Sequence, residues 1–181
     1  MKKDKFKIVI SEEEIQNRVK ELGEEITRDY ANKEPIVICM LKGAVMFFGD
    51  LIKRIDTDIN LEFARISSYG NGTESGALKV VSDINCDISG RHVIIVEDIV
   101  DSGKTLDYYV RKLREKNPAS VEICAFIDKP QRREAEVSVK YCGFKGEFGF
   151  VIGYGMDYAQ KFRQLPFLAE INSPDDLADL T

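Results

Sequence analysis

Three short runs that are apolar at nearly every position constrain the fold of this chain more than any other feature. A strand with one solvated face alternates apolar and polar residues, so a continuous apolar run predicts a strand that is buried on both faces. Stretches with helical spacing of their apolar residues separate the runs, which is the pattern of βαβ units. The sequence therefore predicts an α/β fold with a mostly parallel central sheet flanked by helices. The three runs are residues 36–41, 93–96 and 121–127.

Shorter patterns predict the helices and the weaker strands. Ser11 with Glu14 has the signature of a capping box, and an apolar stripe with helical spacing begins at Ile15. Residues 67–77 are rich in glycine, serine and threonine and exceed the usual length of a connection, which favours a lid or binding loop. We predict helices over residues 11–30, 44–55 and 106–116, and weaker strands over residues 61–66, 78–81, 137–141 and 150–155.

Length, charge and cysteine usage limit the class of protein. The chain has 181 residues and 26 Lys and Arg against 31 Asp and Glu, a formal net charge of −5. This predicts a single domain, residues 1–181, that binds neither nucleic acid nor membrane, since no basic excess and no long apolar run are present. The four cysteines lack Cys-x-x-Cys spacing and the only histidine is His92, which argues against zinc. We predict that Cys39 and Cys124 are buried free thiols, that His92 is structural and that the protein is cytoplasmic.

The sharpest chemical signal is residues 97–105, Glu-Asp-Ile-Val-Asp-Ser-Gly-Lys-Thr, which follow the second apolar run. Ligands of open α/β sheets bind beyond the carboxyl ends of the strands. A turn that enters a helix presents backbone N–H groups to a phosphate, and Gly103 allows a close approach of the backbone. Glu97, Asp98 and Asp101 would repel that phosphate, so we assign them to sugar hydroxyls or to a bound cation. The segment thus predicts a ribose 5-phosphate site.

Two commoner nucleotide motifs do not fit the sequence. A P-loop requires a glycine five positions before Gly103, where Asp98 stands. The dinucleotide fingerprint fails after Gly153 and Gly155, because Tyr158 occupies the position of its third glycine. Neither a nucleoside-triphosphate site nor a dinucleotide site is therefore predicted.

Residues 97–105 resemble the phosphoribosyl-pyrophosphate signature of type I phosphoribosyltransferases. Four further segments resemble the hypoxanthine/guanine branch of that family, in the same order along the chain, and the likeness covers roughly residues 10–172. It implies the type I phosphoribosyltransferase fold with a small hood built from the chain ends. The four segments are residues 41–44, 68–71, 127–129 and 150–158.

The resemblance also implies an activity. It is magnesium-dependent transfer of 5-phosphoribosyl from 5-phosphoribosyl 1-pyrophosphate to N9 of hypoxanthine, and of guanine, with release of pyrophosphate. The enzyme would serve purine salvage. Because members of the family form dimers and tetramers, a homodimer or homotetramer is implied.

The phosphoribosyl half of the site is assigned by the same resemblance. Glu97 and Asp98 would hold the ribose hydroxyls and, with Asp157, magnesium; consecutive strand residues face opposite ways, so both reach one ribose only if the strand bends at Asp98. Asp101 would be the general base and acid at N7 of the purine, although a carboxylate there also complements a helix N-terminus. Lys104 is equally well a phosphate ligand or a solvated helix residue. The 5-phosphate cradle would consist of Asp101, Ser102, Gly103, Lys104 and Thr105.

The leaving group and the base have their own residues by this resemblance. A loop with a non-proline cis peptide before its lysine would bind pyrophosphate, and the lid would fold over it. A lysine after the third apolar run would select 6-oxopurines by donating to the 6-oxo group, and an aromatic residue would stack on the purine. These residues are Lys42, Gly43 and Arg163 for pyrophosphate, Ser68 and Tyr69 in the lid, and Lys129, Phe150, Val151 and Asp157 for the base.

A second interpretation, from another class, is a regulator on the same fold that senses phosphoribosyl pyrophosphate and binds RNA or DNA. Such a protein needs an appended DNA-binding region or a basic face. The chain has no room for a helix-turn-helix domain beside the core, and its acidity disfavours a basic face. Because Lys129 and Phe150 would have no purpose in a sensor, we favour the enzyme.

Overall fold

The computed structural model describes residues 7–68 and 78–171 of the chain. Within these ranges it has nine strands and three α-helices, and a single 3₁₀ turn, Pro130–Arg132, follows the sixth strand. The strands are β1 (Lys7–Ile10), β2 (Ile36–Met40), β3 (Asn60–Ser68), β4 (Leu78–Ser82), β5 (His92–Val100), β6 (Ser120–Asp128), β7 (Tyr141–Lys145), β8 (Phe150–Ile152) and β9 (Leu168–Ile171), and the helices are α1 (Glu12–Asp29), α2 (Val45–Ile52) and α3 (Lys104–Arg114).

The central sheet has six strands in the order β4-β3-β2-β5-β6-β7. Neighbouring strands are parallel except at one edge, where β4 is antiparallel to β3. Every residue of β2 is buried, as are residues 93–96 of β5 and 123–128 of β6. The predicted mostly parallel α/β sheet is confirmed, and the apolar runs form its centre because strands there are covered on both faces.

The strand order creates a crevice between β2 and β5. From β2 the chain crosses to β3 on one side, whereas from β5 it crosses through α3 to β6 on the other side. Ligands of open α/β sheets bind at such a reversal, outside the carboxyl ends of the strands. The loop that carries Lys42 and the loop that carries Asp101 therefore diverge around a natural ligand site.

A second, antiparallel sheet joins the two ends of the described chain in the order β1-β9-β8. The hood predicted from the chain ends is thereby confirmed, and Phe150 and Val151 belong to its strand β8. Buried apolar side chains beneath this sheet form a cluster separate from the main core. They are Ile152, Phe162, Leu165, Phe167 and Ala169.

Helix α1 begins with the predicted capping box. The Glu14 N–H donates to Ser11 Oγ (3.3 Å), and the Ser11 N–H donates to Glu14 Oε2 (2.8 Å). Helix α2 is shorter than the prediction over residues 44–55, because the Arg54 N–H turns back to the Leu51 carbonyl (2.9 Å) and ends the helical ladder.

Two weaker strands differ from the prediction. The strand expected over residues 137–141 begins instead at Tyr141, which pairs with Cys124 of β6. Val137 and Val139 are partly buried against the core, so their alternation imitates a strand. The strand expected over residues 150–155 ends at Ile152, since the next residue, a glycine with φ 97°, turns the chain.

The remaining expectations concern single residues and the lid. Cys39 and Cys124 are buried free thiols, and His92 Nδ1 lies 2.8 Å from Ser120 Oγ at the start of the sheet, a structural position. Ser68 is the last residue of β3, whereas Tyr69 and the rest of the predicted lid lie outside the described residues. No helix in the described ranges is long and apolar enough to cross a membrane.

Candidate active site

A cavity of about 780 Å³ lies at the carboxyl ends of β5 and β6, beneath β8 of the hood. Its volume is in the range of small-molecule sites. The residues that line it come from separate parts of the chain, so the fold brings together side chains that are distant in sequence. Six predicted site residues are among them: Asp98, Asp101, Lys129, Phe150, Val151 and Asp157.

The acidic pair lies within β5 rather than after it. Strand β5 pairs with β2 only as far as Val96, while its pairing with β6 continues to Val100. No register shift marks the bend expected at Asp98. The two acidic residues nevertheless interact: the Asp98 N–H donates to Glu97 Oε1 (3.1 Å), and burial together with the Asp98 carboxylate raises the pKa of Glu97 well above its ordinary value. The pair thus begins where β5 loses β2 as a neighbour, at the crevice.

The loop after β2 packs directly against this acidic pair. Its Leu41–Lys42 peptide bond is cis, as the resemblance implies. A Cβ atom on Gly43 would overlap the Asp98 carboxylate, and a Cβ atom on Gly155, whose φ is 100°, would overlap the Gly43 carbonyl oxygen. Glycine at both positions therefore allows three chain segments to meet at one point.

The turn after β5 opens helix α3. Gly103 is the N-cap residue, in the left-handed conformation (φ 80°), and makes no side-chain capping bond. The first N–H groups of the helix are therefore available to an anion at the positive end of the helix dipole. Ser102 Oγ accepts a weak hydrogen bond from the Lys104 N–H (3.5 Å), and the exposed Lys104 ammonium forms an ion pair with Glu134. Thr105 follows in the first turn.

Asp101 lines the cavity with its two oxygens in different environments. Oδ2 accepts a hydrogen bond from Arg132 Nη1 (3.1 Å). Oδ1 is buried and has no hydrogen-bond partner within the described part of the chain. Because Oδ1 has almost no accessible surface, a ligand in the cavity reaches it only after the Asp101 side chain turns.

Lys129 and Phe150 belong to another wall of the cavity. Lys129 is only 5% exposed, and its Nζ donates to the Gly149 carbonyl (3.0 Å). Burial lowers the pKa of Lys129, while the Asp101 carboxylate acts in the opposite direction. The Phe150 ring is 53% exposed and meets Tyr158 edge-on, with 5.9 Å between centroids. A buried cation beside an exposed aromatic face suits a flat heterocycle with a polar edge.

Arg163 closes the turn that packs against Gly43. Its Nη1 donates to the Gly155 carbonyl (2.6 Å), and its Nη2 forms an ion pair with Asp157 Oδ1 (2.7 Å). Both terminal nitrogens of Arg163 therefore have partners within the chain. Arg163 therefore lies beside the predicted pyrophosphate loop. In this structure its guanidinium contacts the turn at Gly155, which packs against that loop.

Comparison with known proteins identifies this arrangement. Residues 11–159 match the family described as phosphoribosyl transferase domain. The chain belongs to the phosphoribosyltransferase family. The fold class and the family predicted from the sequence are both confirmed.

Several relatives of this phosphoribosyltransferase are full-length matches. The hypoxanthine-guanine phosphoribosyltransferase of Bacillus subtilis (strain 168) is 46% identical over 169 residues, covering 93% of this chain and 94% of that protein. A structure of a hypoxanthine phosphoribosyltransferase from Staphylococcus aureus has a TM-score of 0.90 at 40% identity, covering 95% of this chain and 94% of that one. The bifunctional protein TilS/HprT of Listeria monocytogenes serotype 4b (strain F2365) is 44% identical over 93% of this chain, which spans 26% of that longer protein.

The acidic residues of this phosphoribosyltransferase offer the kind of oxygen ligands that would suit a magnesium ion held together with substrate phosphates. Magnesium prefers oxygen ligands and is usually held by one or two carboxylates, waters and substrate phosphates. Asp98 and Asp157 line the same cavity, and Glu97 adjoins Asp98. These carboxylates form no cluster of three ligands in the described ranges. The protein thus offers carboxylate oxygens without enclosing the ion.

Sequence reasoning missed the residues that support the site from outside. Each carries a charge or a hydroxyl; two of the three pairs join elements distant in sequence, whereas Arg133 and Asp128 are five positions apart. The only signal in the sequence was the pair of adjacent arginines, Arg132 and Arg133, shortly after the predicted base-binding Lys129. The missed pairs are Arg132 with Asp101, Arg133 with Asp128, and Asp50 with Tyr154.

Proposed function

We propose that this protein is a purine-salvage enzyme that transfers 5-phosphoribosyl from 5-phosphoribosyl 1-pyrophosphate to N9 of hypoxanthine, and of guanine. The observation that carries the proposal is the shared cavity, which Asp98 and Asp101 line together with Lys129 and Phe150. A ribose site and a purine site in one cavity can hold the anomeric carbon and the ring nitrogen in reacting geometry. Relatives named hypoxanthine or hypoxanthine-guanine phosphoribosyltransferase support this choice of substrates.

Asp101 takes the proton of the purine in the proposed reaction. The bond between C1′ and the pyrophosphate oxygen breaks, the bond between C1′ and N9 forms, and the proton at N7 moves to the Asp101 carboxylate, whose side chain lines the cavity. A positioned carboxylate contributes about 10²–10⁴-fold to such a step. In the free protein Oδ2 of this carboxylate accepts a hydrogen bond from Arg132 Nη1.

The base is recognised through its 6-oxo edge and its ring face. Lys129 leaves the Gly149 carbonyl to donate to the 6-oxo group, which adenine lacks. Phe150 stacks on the purine, and the backbone of Val151 contacts the base edge. Asp157, which lines the same cavity, completes the base site.

The phosphoribosyl group occupies the crevice between β2 and β5. Glu97 and Asp98 are assigned to the ribose hydroxyls; Asp98 lines the cavity, and Glu97 reaches the same ribose only if β5 bends at Asp98 when the substrate binds. The leaving pyrophosphate is bound by Lys42, Gly43 and Arg163. The 5-phosphate binds in the cradle at the start of α3, formed by Asp101, Ser102, Gly103, Lys104 and Thr105.

When bound, magnesium neutralises the charge of the leaving pyrophosphate. Asp98 and Asp157, with Glu97 beside Asp98, are the residues that would hold it. The lid that contains Ser68 and Tyr69 closes over the pyrophosphate and keeps water from the oxocarbenium-like sugar.

The same proposal specifies the binding partners of the enzyme and its cellular compartment. Its partners are small-molecule substrates and other copies of itself, as a homodimer or homotetramer. The four cysteines are free thiols, in agreement with a reducing cytoplasm. The alternative of a phosphoribosyl-pyrophosphate-sensing regulator is not supported, because the high-coverage relatives are named as transferases.

An assay of the purified protein with five bases tests the proposal. With magnesium and 5-phosphoribosyl 1-pyrophosphate, we expect turnover of hypoxanthine and guanine, which both carry a 6-oxo group. We expect no turnover of adenine or uracil. The rate with xanthine measures whether the site accepts an oxo group at the 2-position of the purine. Omission of magnesium should abolish turnover. Turnover of adenine but not of hypoxanthine would contradict the proposed role of Lys129, and absence of turnover with every base would contradict the proposed function.

A further inference from the structure

The segment that follows β6 supports the phosphate cradle, residues 101–105, from behind. The N–H groups of Glu134 and Ala135 both donate to the Ser102 carbonyl (2.9 and 3.1 Å). Glu134 also forms the ion pair with Lys104. The backbone conformation of the cradle therefore depends on this segment as well as on β5 and α3.

Arg133 lies between the segment and the cradle. Its Nη2 forms an ion pair with Asp128 Oδ1 at the end of β6, and the two side chains are 16% and 10% exposed. A Cβ atom on Gly103 would lie 3.0 Å from Arg133 Cδ and 3.2 Å from Arg133 Nη1. The guanidinium is therefore packed against the left-handed residue from which helix α3 begins.

The second nitrogen of this guanidinium is unsatisfied. Arg133 Nη1 is buried without a hydrogen-bond partner, a condition that among the described side chains it shares with Asp101 Oδ1. Buried polar groups nearly always have a partner, and a missing one is most costly for a charged group. Asp101 already has a role in the proposed reaction, as its acid and base. Arg133 has no role in that reaction, and its unpaired N–H adjoins the turn that binds phosphate.

We propose that Arg133 is a positioning residue for the 5-phosphate, a role that rests on the proposed function. Asp128 fixes the guanidinium, and the guanidinium holds the Gly103 turn in the conformation whose N–H groups bind the phosphate. The phosphate in turn supplies an acceptor for the N–H groups of Arg133 Nη1, since the ion pair with Asp128 uses Nη2. Ligands with a 5-phosphate should therefore depend on Arg133, whereas binding of the free base should not.

The test compares Arg133→Gln and Arg133→Lys with Arg111→Gln. Arg111 is a matched control because it is an exposed arginine of α3 that pairs with Asp107 on the same helix. Calorimetric titration with inosine 5′-monophosphate and steady-state kinetics are measured for each protein. For Arg133→Gln we expect affinity for the nucleotide to fall about tenfold and the KM for 5-phosphoribosyl 1-pyrophosphate to rise by a similar factor. The KM for hypoxanthine should stay within about twofold, Arg133→Lys should recover part of the loss, and Arg111→Gln should behave as wild type.

The outcomes separate this inference from the proposed function. Wild-type protein that binds no nucleotide and turns over no purine overturns the proposed function. Wild-type binding with unchanged nucleotide affinity in Arg133→Gln overturns the role of Arg133 alone. An equal rise in the KM values of both substrates indicates a general structural role and also overturns it. If Arg133→Gln does not fold, Asp128→Asn replaces it, since loss of the Asp128 charge frees the guanidinium; unchanged nucleotide affinity there overturns the inference.

Discussion

The Asp101 carboxylate has one oxygen paired with Arg132 and one buried oxygen without a partner in the described chain, and its proposed role as acid and base leads to a prediction. In Asp101→Asn the side chain keeps its shape but has no basic oxygen to accept the purine proton. We expect kcat to fall about 10²–10⁴-fold, while the KM for 5-phosphoribosyl 1-pyrophosphate changes far less. Steady-state kinetics over both substrates measure the two effects. Near-normal turnover would remove the acid/base role.

Lys129 is a buried cation whose only charged task in the proposed reaction is to donate to the 6-oxo group. Lys129→Met keeps the bulk of the side chain and removes the ammonium. We expect kcat/KM for hypoxanthine to fall about 10–100-fold, because a hydrogen bond from a charged donor is lost. The KM for 5-phosphoribosyl 1-pyrophosphate should stay close to the wild-type value. Unchanged purine kinetics would show that another group selects the base.

Gly43 has no room for a side chain, since a Cβ atom there would overlap the Asp98 carboxylate. Gly43→Ala should push that carboxylate away from the ribose and raise the KM for 5-phosphoribosyl 1-pyrophosphate by about tenfold or more. Gly49→Ala is the control: it lies in α2, where a Cβ atom would have no neighbour within 4 Å. That variant should keep wild-type kinetics and gain about 0.5–1 kcal/mol of stability from helix propensity. Equal kinetics for the two variants would contradict the close packing at Gly43.

At the scale of elements, Asp50 joins three parts of the molecule. It accepts hydrogen bonds from Gln16 of α1 (2.8 Å), from Lys53 at the end of α2 (2.7 Å) and from the buried Tyr154 hydroxyl (2.9 Å). Burial tends to raise the pKa of Asp50, but these three bonds outweigh it and hold the pKa below its ordinary value of 3.8. The turn that packs on Gly43 is thereby tied to both helices.

The low pKa of Asp50 makes its contribution to stability dependent on pH. A carboxyl with a depressed folded-state pKa stabilises the fold above its unfolded value and loses that effect as the pH falls through the folded value. We expect Asp50→Asn to lower the free energy of unfolding by about 1–2 kcal/mol at pH 7 and by less at pH 3. Denaturant unfolding at both pH values measures this. Asp107→Asn, which breaks the exposed pair with Arg111, should change stability by no more than about 0.5 kcal/mol at either pH. A loss that is equal at pH 7 and pH 3 would contradict the argument.

The elements that were predictable share one property: their signal is local. Continuous apolar runs predicted β2, β5 and β6 because strands buried on both faces have no polar positions, and the Ser11 capping box marked the start of α1. β7 was misplaced because Val137 and Val139 pack on the core with a strand-like alternation. Long-range contacts such as that between Asp50 and Tyr154 leave no trace in the neighbouring sequence. For the same reason the acidic signature in residues 97–105 could be predicted from the sequence, whereas the supporting roles of Arg132 and Arg133 could not.

At the scale of the whole molecule, the hood has a small core of its own beside the main core. Its strands also contribute Ile10, Val151 and Leu168 to the main core. A three-stranded sheet with only a small further cluster should nevertheless open at a lower free energy than the six-stranded sheet. We therefore expect the backbone amides of β8 and β9 to exchange hydrogen faster than those of β5, and inosine 5′-monophosphate to slow the exchange in β8. Hydrogen-exchange mass spectrometry measures both. Equal protection of β5 and β8 in the free protein would contradict this division.

The order β1-β9-β8 also has a consequence for biosynthesis. In that sheet β9, the last described strand, lies between β1 and β8, so β8 receives its hydrogen-bonding neighbour only when the ribosome has released residues 168–171. The phosphate cradle depends on β5, α3 and the segment after β6, all of which emerge earlier. The segments proposed to bind the 5-phosphate are therefore synthesised before the strand that completes the sheet carrying the proposed purine-stacking residue.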